Sequence, residues 1–339
     1  MKKIASALAM VLTVSIMLTA VGCSKKDNVV ITYNTPQQWV NWGEVLTKFS
    51  AANGVTSPND NKNSGQALTA LMSEKSNPQC DVVYLGIVFG IKAAKEGVLE
   101  NYKSKYFDKV DSSLKNADGQ FETVHFGSIA FLCNTEALGS TPVPKSWADL
   151  LKPEYKGKIG FLDPTSSAVG YSVCTAINLA MGGTLDNWDP AFAYLKKLNQ
   201  NGVIYPKQTS TAKLMKGEIP ILVDADFNGY TLKYDQKGPI NIVIPEEGSL
   251  RIPYVISLVK NAPHPENGKK LIEYLMSAEG QALFAKGYVR PINTDALTAD
   301  VKAKFLPDSD YARVKDVDYA KMAEVQEAFN KRWISEINK

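Results

Sequence analysis

The chain has 339 residues, 38 of them basic and 35 acidic, for a formal net charge of +3. That balance excludes the concentrated basic face that nucleic-acid binding requires, and the length exceeds one comfortable core, so two lobes are expected. Lysine dominates the basic side chains. Arg251, Arg290, Arg313 and Arg332 are the only arginines, which singles out Arg251 either for bidentate anion recognition or for simple pairing with Glu246 or Glu247.

Lys2 and Lys3 precede an apolar run over residues 4–21, followed by Gly22 and Cys23. A cationic start, an apolar stretch and small residues at its end predict a signal peptide over residues 1–22. An uncleaved anchor is the alternative, because the run approaches bilayer-spanning length. The stretch from Leu18 to Cys23 resembles a bacterial lipobox, with Ala20 where leucine is commoner. The resemblance implies that Cys23 is acylated and that residues 23–28 tether the folded body to the membrane. No later segment is apolar for long enough to cross a bilayer. The mature body, close to neutral once Lys2 and Lys3 leave, is expected to be extracytoplasmic and held by its lipid.

Residues 29–33 are β-branched and aromatic and read as a first strand. A polar loop over 34–39 leads into an amphipathic helix through Val45, Leu46 and Phe49. The next helix runs from Ser64 towards residue 76, with Leu68, Leu71 and Met72 on one face. A strand over 81–86 stops at Gly86. Strands follow at 127–133 and 158–162, with a short helix at 146–151 between them. A long helix begins after Asp163 and stops at Gly182-Gly183, which favour a left-handed terminus. The strand 219–223 leads into Asp224-Ala225-Asp226-Phe227. Helices follow at 267–276 and 279–286, and the last, 319–337, carries a stripe of Met322, Val325, Phe329 and Trp333. Strands alternating with helices describe an α/β fold with largely parallel sheets. Cys80, Cys133 and Cys174 lie far apart among apolar neighbours without a CxxC pair, which predicts buried free thiols, one disulfide being the alternative.

Three groups of residues carry a family likeness. They are Ser64-Gly65 with Glu74-Lys75, Asn77-Pro78 and Asp81-Val82-Val83; Ser146-Trp147-Ala148-Asp149-Leu150 with Tyr155-Lys156-Gly157-Lys158-Ile159 and Asp163-Pro164; and Ala278-Glu279-Gly280-Gln281 with Arg290-Pro291-Ile292-Asn293. In this order they resemble the extracellular solute-binding proteins of bacterial ABC importers, in particular the group handling ferric iron, thiamine, polyamines and phosphonates. The resemblance implies two α/β lobes, 29–131 with 252–295 and 132–251 with 296–339, joined by crossing strands around a ligand cleft. It implies a monomer that captures a small polar solute and delivers it, chemically unchanged, to an ABC permease. A secreted two-lobed enzyme and a ligand-binding partner of a sensory receptor are the competing classes.

In open α/β sheets the crevice lies at the carboxyl ends of the strands. That places Gln37, Trp39, Gly86, the 163–167 loop and the 224–227 loop together. Thr165, Ser166 and Ser167 at one helix start, and Ser64 with Gly65 at another, offer free N–H groups and hydroxyls to an anion, plain capping being the alternative. Asp224 and Asp226 with Phe227 suit an ammonium group, unless they merely cap a strand end. A zwitterion such as an aminoalkylphosphonate or an amino acid satisfies both; a polyamine needs only the carboxylates, a sugar phosphate only the anion site. Trp39 and Tyr84 are either walls or core. The chain has no Tyr-Tyr pair, which disfavours iron, and no Gly-x-Ser-x-Gly elbow. His125 and His264 lie outside any ligand cluster, and His264, between prolines, reads as an exposed loop. No catalytic residue, metal or cofactor is expected.

Overall fold

The computed structural model describes residues 28–208 and 210–338, so the apolar leader, Cys23 and most of the tether lie outside the described residues. Ten strands form the framework: β1 (Thr32–Tyr33), β2 (Asn59–Asp60), β3 (Val82–Gly86), β4 (Glu122–Asn134), β5 (Ile159–Gly160), β6 (Ile221–Ala225), β7 (Ile240–Val243), β8 (Ser249–Leu258), β9 (Arg290–Pro291) and β10 (Val314–Lys315). Their order is β2-β1-β3-β8-β4-β6-β5, with β7 and β9 also on β4 and β10 on β8. β1 to β3 are parallel, as are β5 and β6, each joined through helices. The long strands β4 and β8 run antiparallel and tie the two lobes together. Between Glu122 and Ser128, β4 pairs with β8; from Ile129 to Asn134 it pairs with β6 and β7 instead. The exchange at Ser128–Ile129 is the crossover of the two-lobed α/β fold.

Each lobe buries one side of its helices. In Trp42–Asn53, Trp42, Val45, Leu46 and Phe49 recur at helical spacing and are buried. The indole of Trp42 packs edge-on against Tyr84 and Phe284, with centroids 5.1 and 5.0 Å away. In the second lobe, Phe329 of the helix Tyr319–Glu336 meets Trp188 at 4.8 Å and Tyr171 at 5.1 Å. Met322, Phe329 and Trp333 are buried, while Val325 is only partly covered. The helix Ala168–Ala180 stops just before Gly182, whose φ of 82° is left-handed. Cys80, Cys133 and Cys174 are buried free thiols, and burial pushes each well above the ordinary thiol range, so they lack the reactive thiolate.

Four expectations are corrected. The helix Ser64–Ser73 packs through Ala67 and Leu71, leaving Met72 exposed, because adjacent helix positions point about 100° apart. The strand expected at 127–133 begins five residues earlier, at Glu122; its polar first half is buried by tertiary contacts that apolar patterning does not reveal. His264 is not a free loop residue, since its Nδ1 lies 3.1 Å from the buried Asp81 carboxylate.

Asp226 and Asp224 do not share a strand face either, because β6 stops at Ala225 and Asp226 opens a short helix. The Asp226 carboxylate, fully buried, accepts from the Ser128 N–H (2.9 Å), the Arg290 guanidinium (2.6 Å) and the Tyr311 hydroxyl (2.9 Å). Arg290 lies between the rings of Phe305 and Tyr311, 4.4 and 4.3 Å from their centroids. Removing one member of such a buried pair typically costs about 3–5 kcal/mol, since the other charge is stranded. Asp226→Ala is expected to lose stability on that scale in urea unfolding, and Asp226→Leu with Arg290→Met far less. Equal losses in both would show that the charge pairing is not what holds this junction.

Glu122 supplies a pH-dependent term. It is 2 % exposed, accepts from Ser104 Oγ (2.8 Å) and leaves its other oxygen without a partner. Burial pushes its carboxyl up to about 7. The folded chain therefore keeps a proton that the unfolded chain releases above about 4.5, so this group's contribution to stability falls as pH rises between those values. Glu122→Gln removes that slope. It is expected to exceed the parent by roughly 1–3 kcal/mol at pH 8, with the gap closing below pH 4.5; a constant gap across urea titrations at these pH values would refute it.

Candidate functional site

Two helices from different lobes point their amino ends at one cavity. The helix Ser64–Ser73 is opened by a capping box, in which Asn63 Oδ1 accepts from the Gln66 N–H (2.9 Å) and Gln66 Oε1 from the Asn63 N–H (3.0 Å). The helix Ala168–Ala180 is opened by Ser167, whose Oγ accepts from the Gly170 N–H (3.2 Å). The first amides of each helix have no intrahelical acceptor. They border a cavity of about 120 Å³ walled by Ser64, Ser167, Ala168 and Val169, with Asn34, Trp39, Lys62, Lys207 and Tyr254. Lys207 and two positive helix ends meet there, with Lys62, whose ammonium is paired with Asp60 just outside, and no aspartate or glutamate is part of the wall. Such a surface attracts an anion.

The lobes touch directly around it. The Gly65 N–H donates to the Ser166 carbonyl (3.0 Å), Asn63 Nδ2 to the Lys207 carbonyl (3.2 Å), and Gln208 Nε2 to Gln66 Oε1 (3.1 Å). A Cβ at Gly65 would sit 2.5 Å from the Ser166 oxygen, and one at Gly86 would collide with the Ala168 side chain. These glycines permit the approach.

The floor is aromatic. Trp39 packs edge-on against Tyr254, Phe227 and Tyr84, with centroids 5.2, 5.5 and 5.7 Å away, and Tyr84 stacks on Tyr254 at 5.1 Å. His125 bonds to the Tyr84 hydroxyl at 2.9 Å, and burial lowers its pKa to about 3, so it is neutral. Buried polar atoms without a partner gather here: Trp39 Nε1, the Tyr254 hydroxyl, His125 Nδ1 and Asp224 Oδ2. The other Asp224 oxygen accepts from the Ala225 N–H (2.6 Å) and Asn228 Nδ2 (3.1 Å). Burial raises the Asp224 carboxyl to about 6, and its charge helps to hold the Tyr254 hydroxyl well above its usual range.

Of the residues singled out from sequence, Trp39, Ser64 and Ser167 line this cavity, and Gly65 and Gly86 form the contact between lobes beside it. Phe227 backs Trp39 and would abut any side chain at Gly127. Others lie elsewhere. Asp226 is consumed by Arg290. Arg251 pairs with neither Glu246 nor Glu247 but with Asp316 (3.2 Å), over the Phe126 ring. The Thr165 hydroxyl is taken by Asp163 (2.7 Å), Ser166 contributes its carbonyl, and Gln37 is exposed, with its carbonyl bonded to the Gly43 N–H. Asn34, from the 34–39 loop expected at the crevice, also lines it, as do Lys62, Asn63, Lys207 and Tyr254, which had not been singled out. Asn63 carried a usable signal, an Asn-x-x-Gln capping box; Lys207 and Tyr254 had none, being a loop lysine and an aromatic inside a strand. Tyr230 and Tyr234 are engaged with Tyr311 (2.6 Å) and the Lys304 carbonyl (3.0 Å), and no metal-ligand cluster occurs among the described residues.

A periplasmic protein of Salmonella typhi, provisionally named for binding 2-aminoethylphosphonate, is 31% identical over 268 residues, 76% of each chain. The spermidine/putrescine-binding periplasmic protein of Escherichia coli K12 is 27% identical over 284 residues, 76% of this chain and 78% of its own. The structure of the periplasmic binding protein AfuA from Actinobacillus pleuropneumoniae, with exogenous fructose-6-phosphate bound, superposes with a TM-score of 0.79 at 26% identity, covering 91% of this chain and 98% of that one. Residues 77–325 match the family of bacterial extracellular solute-binding proteins, and the chain belongs to that family.

Proposed function

We propose that this chain is the capture subunit of an ABC importer and that its solute is a small aminoalkylphosphonate-type zwitterion. It works outside the cytoplasm, as its periplasmic relatives do. The observation that carries the choice of solute is the pairing of two helix amino ends with Lys62 and Lys207 around a cavity whose wall includes no carboxylate. A polyamine needs acidic walls, so this lining favours an anionic head. The unpartnered Asp224 oxygen behind the Trp39–Tyr254 floor supports an ammonium at the other end. A volume of about 120 Å³ is far below the roughly 300–1,000 Å³ of drug-sized sites, which suits a solute of few heavy atoms.

Solute captured by one helix end in the open form gains the second only on closure, so it shifts the population towards the closed lobes. The partner exchange at Ser128–Ile129 supports two lobes pivoting on β4, divided three residues before the expected boundary of 29–131 with 252–295 and 132–251 with 296–339. The chain releases its solute unchanged, acts as a monomer, and is anchored through acylated Cys23.

Calorimetric titration of the mature protein tests the assignment. 2-Aminoethylphosphonate is expected to bind one to one and putrescine not at all, with inorganic phosphate and fructose 6-phosphate as probes of the anion half alone. Lys207→Ala should weaken phosphonate binding by about tenfold, the equivalent of one charge-assisted contact. Putrescine binding with no response to phosphonates would overturn the reading. Gly65→Ala tests closure separately. Alanine is the better helix former by up to about 1 kcal/mol, so thermal stability should hold or rise. Its Cβ blocks the approach to Ser166, so solute-induced compaction in small-angle scattering should vanish and affinity fall at least about tenfold; unchanged compaction would show that the contact is dispensable.

A further inference from the structure

We infer that Trp39 is a fixed partition that sets the length of solute the cleft accepts, an inference that rests on the cleft being the solute site. Beyond the anion cavity lies a second one of about 230 Å³, and Pro36 and Trp39 belong to the walls of both. Gln38 enters it from one lobe, and Thr211, Asn228, Thr231 and Gln236 from the other. Its polar groups are amides and hydroxyls, whose oxygens can accept from the ammonium at the end of a longer chain. The two compartments are therefore one interlobe cleft divided by an indole.

The indole is held as a wall. The main-chain N–H of Trp39 donates to the Pro36 carbonyl, and the main-chain carbonyl of Trp39 accepts from the Trp42 N–H, both at 3.0 Å. The next two residues, Val40 and Asn41, have φ of 43° and 64°, a conformation that a β-branched valine rarely adopts. Tyr84, Phe227 and Tyr254 present rings to three edges of the indole. Its ring Nε1 is buried without an acceptor, as are those of the core residues Trp42 and Trp333, so the wall rests on the position and packing of the indole and not on its donor. With Trp39 in place, a solute anchored by its anion on the helix ends has room for a short chain only. Without it, the chain continues into the amide-lined compartment.

The test is a length series of 2-aminoethyl-, 3-aminopropyl- and 4-aminobutylphosphonate titrated against the parent, Trp39→Leu and Trp39→Ala, each checked for folding by thermal unfolding. The parent is expected to prefer the shortest by at least tenfold over the longest, and Trp39→Ala to erase or invert that ratio. Adding Thr231→Trp to Trp39→Ala refills the far compartment and should abolish the gain. If Trp39→Ala weakens all three equally, Trp39 is a packing residue and the inference fails. A crystal structure of Trp39→Ala gives a readout without any solute: one continuous cavity supports the partition, and collapse of neighbouring side chains into the space overturns it. If the parent binds none of the series while the cavities merge, the solute assignment fails and the partition stands.

Discussion

The carboxylate of Asp226 gathers three segments that are distant in sequence: the crossing strand at Ser128, the β9 strand at Arg290 and the carboxyl-terminal segment at Tyr311. It does so at the residue where β4 changes its partner from one lobe to the other. A charge buried this completely is tolerated only when its lone pairs are filled and its counter-ion is desolvated with it. Here both conditions hold, with the guanidinium held between two aromatic faces. The lobes thus meet around a polar pin, not an apolar seam. A pin is directional: apolar surfaces slide over one another at little cost, whereas three hydrogen bonds to one carboxylate fix the orientation of these segments at the pivot, about which the lobes close.

That orientation brings the two helix starts together. Neither is an anion site on its own merit; each is an ordinary capped helix, most of whose first amides are already bonded within the chain. Charge accumulates because the junction aims both at one cavity and adds Lys62 and Lys207 from flanking loops. The same scaffold serves relatives named for a phosphonate and for polyamines, so the fold supplies the cleft, and the signs of the lining side chains decide the class of solute.

Local features were legible in the sequence. Apolar spacing located the helix at Trp42–Asn53, Gly182 marked the end of the helix that Ser167 caps, and the hydroxyls at helix starts pointed to loops that border one cavity. What the sequence could not reveal depended on where elements stop and what they meet. Asp224 and Asp226 are two apart and look like a pair, but β6 ends between them, and one became a buried counter-ion while the other kept an unpartnered oxygen. Tyr254 and Lys207 belong to the cavity through contacts between elements far apart along the chain. Glu122, Thr123 and His125 look like loop residues until β8 covers them. Arg251 drew interest because arginines are scarce, yet the arginine at the junction is Arg290, which stood out only as part of the Arg290-Pro291-Ile292-Asn293 likeness and without any sign of its partner.

The contact between Gly65 and Ser166 is made by main-chain atoms. Its strength therefore does not depend on which side chains surround the solute, and it asks only for residues without a Cβ at positions 65 and 86. The device that shuts the cleft and the surface that chooses the cargo are separable heritable traits. Descendants of this chain can change their diet by substituting lining residues such as Lys62 or Lys207, while the shutter passes down unaltered.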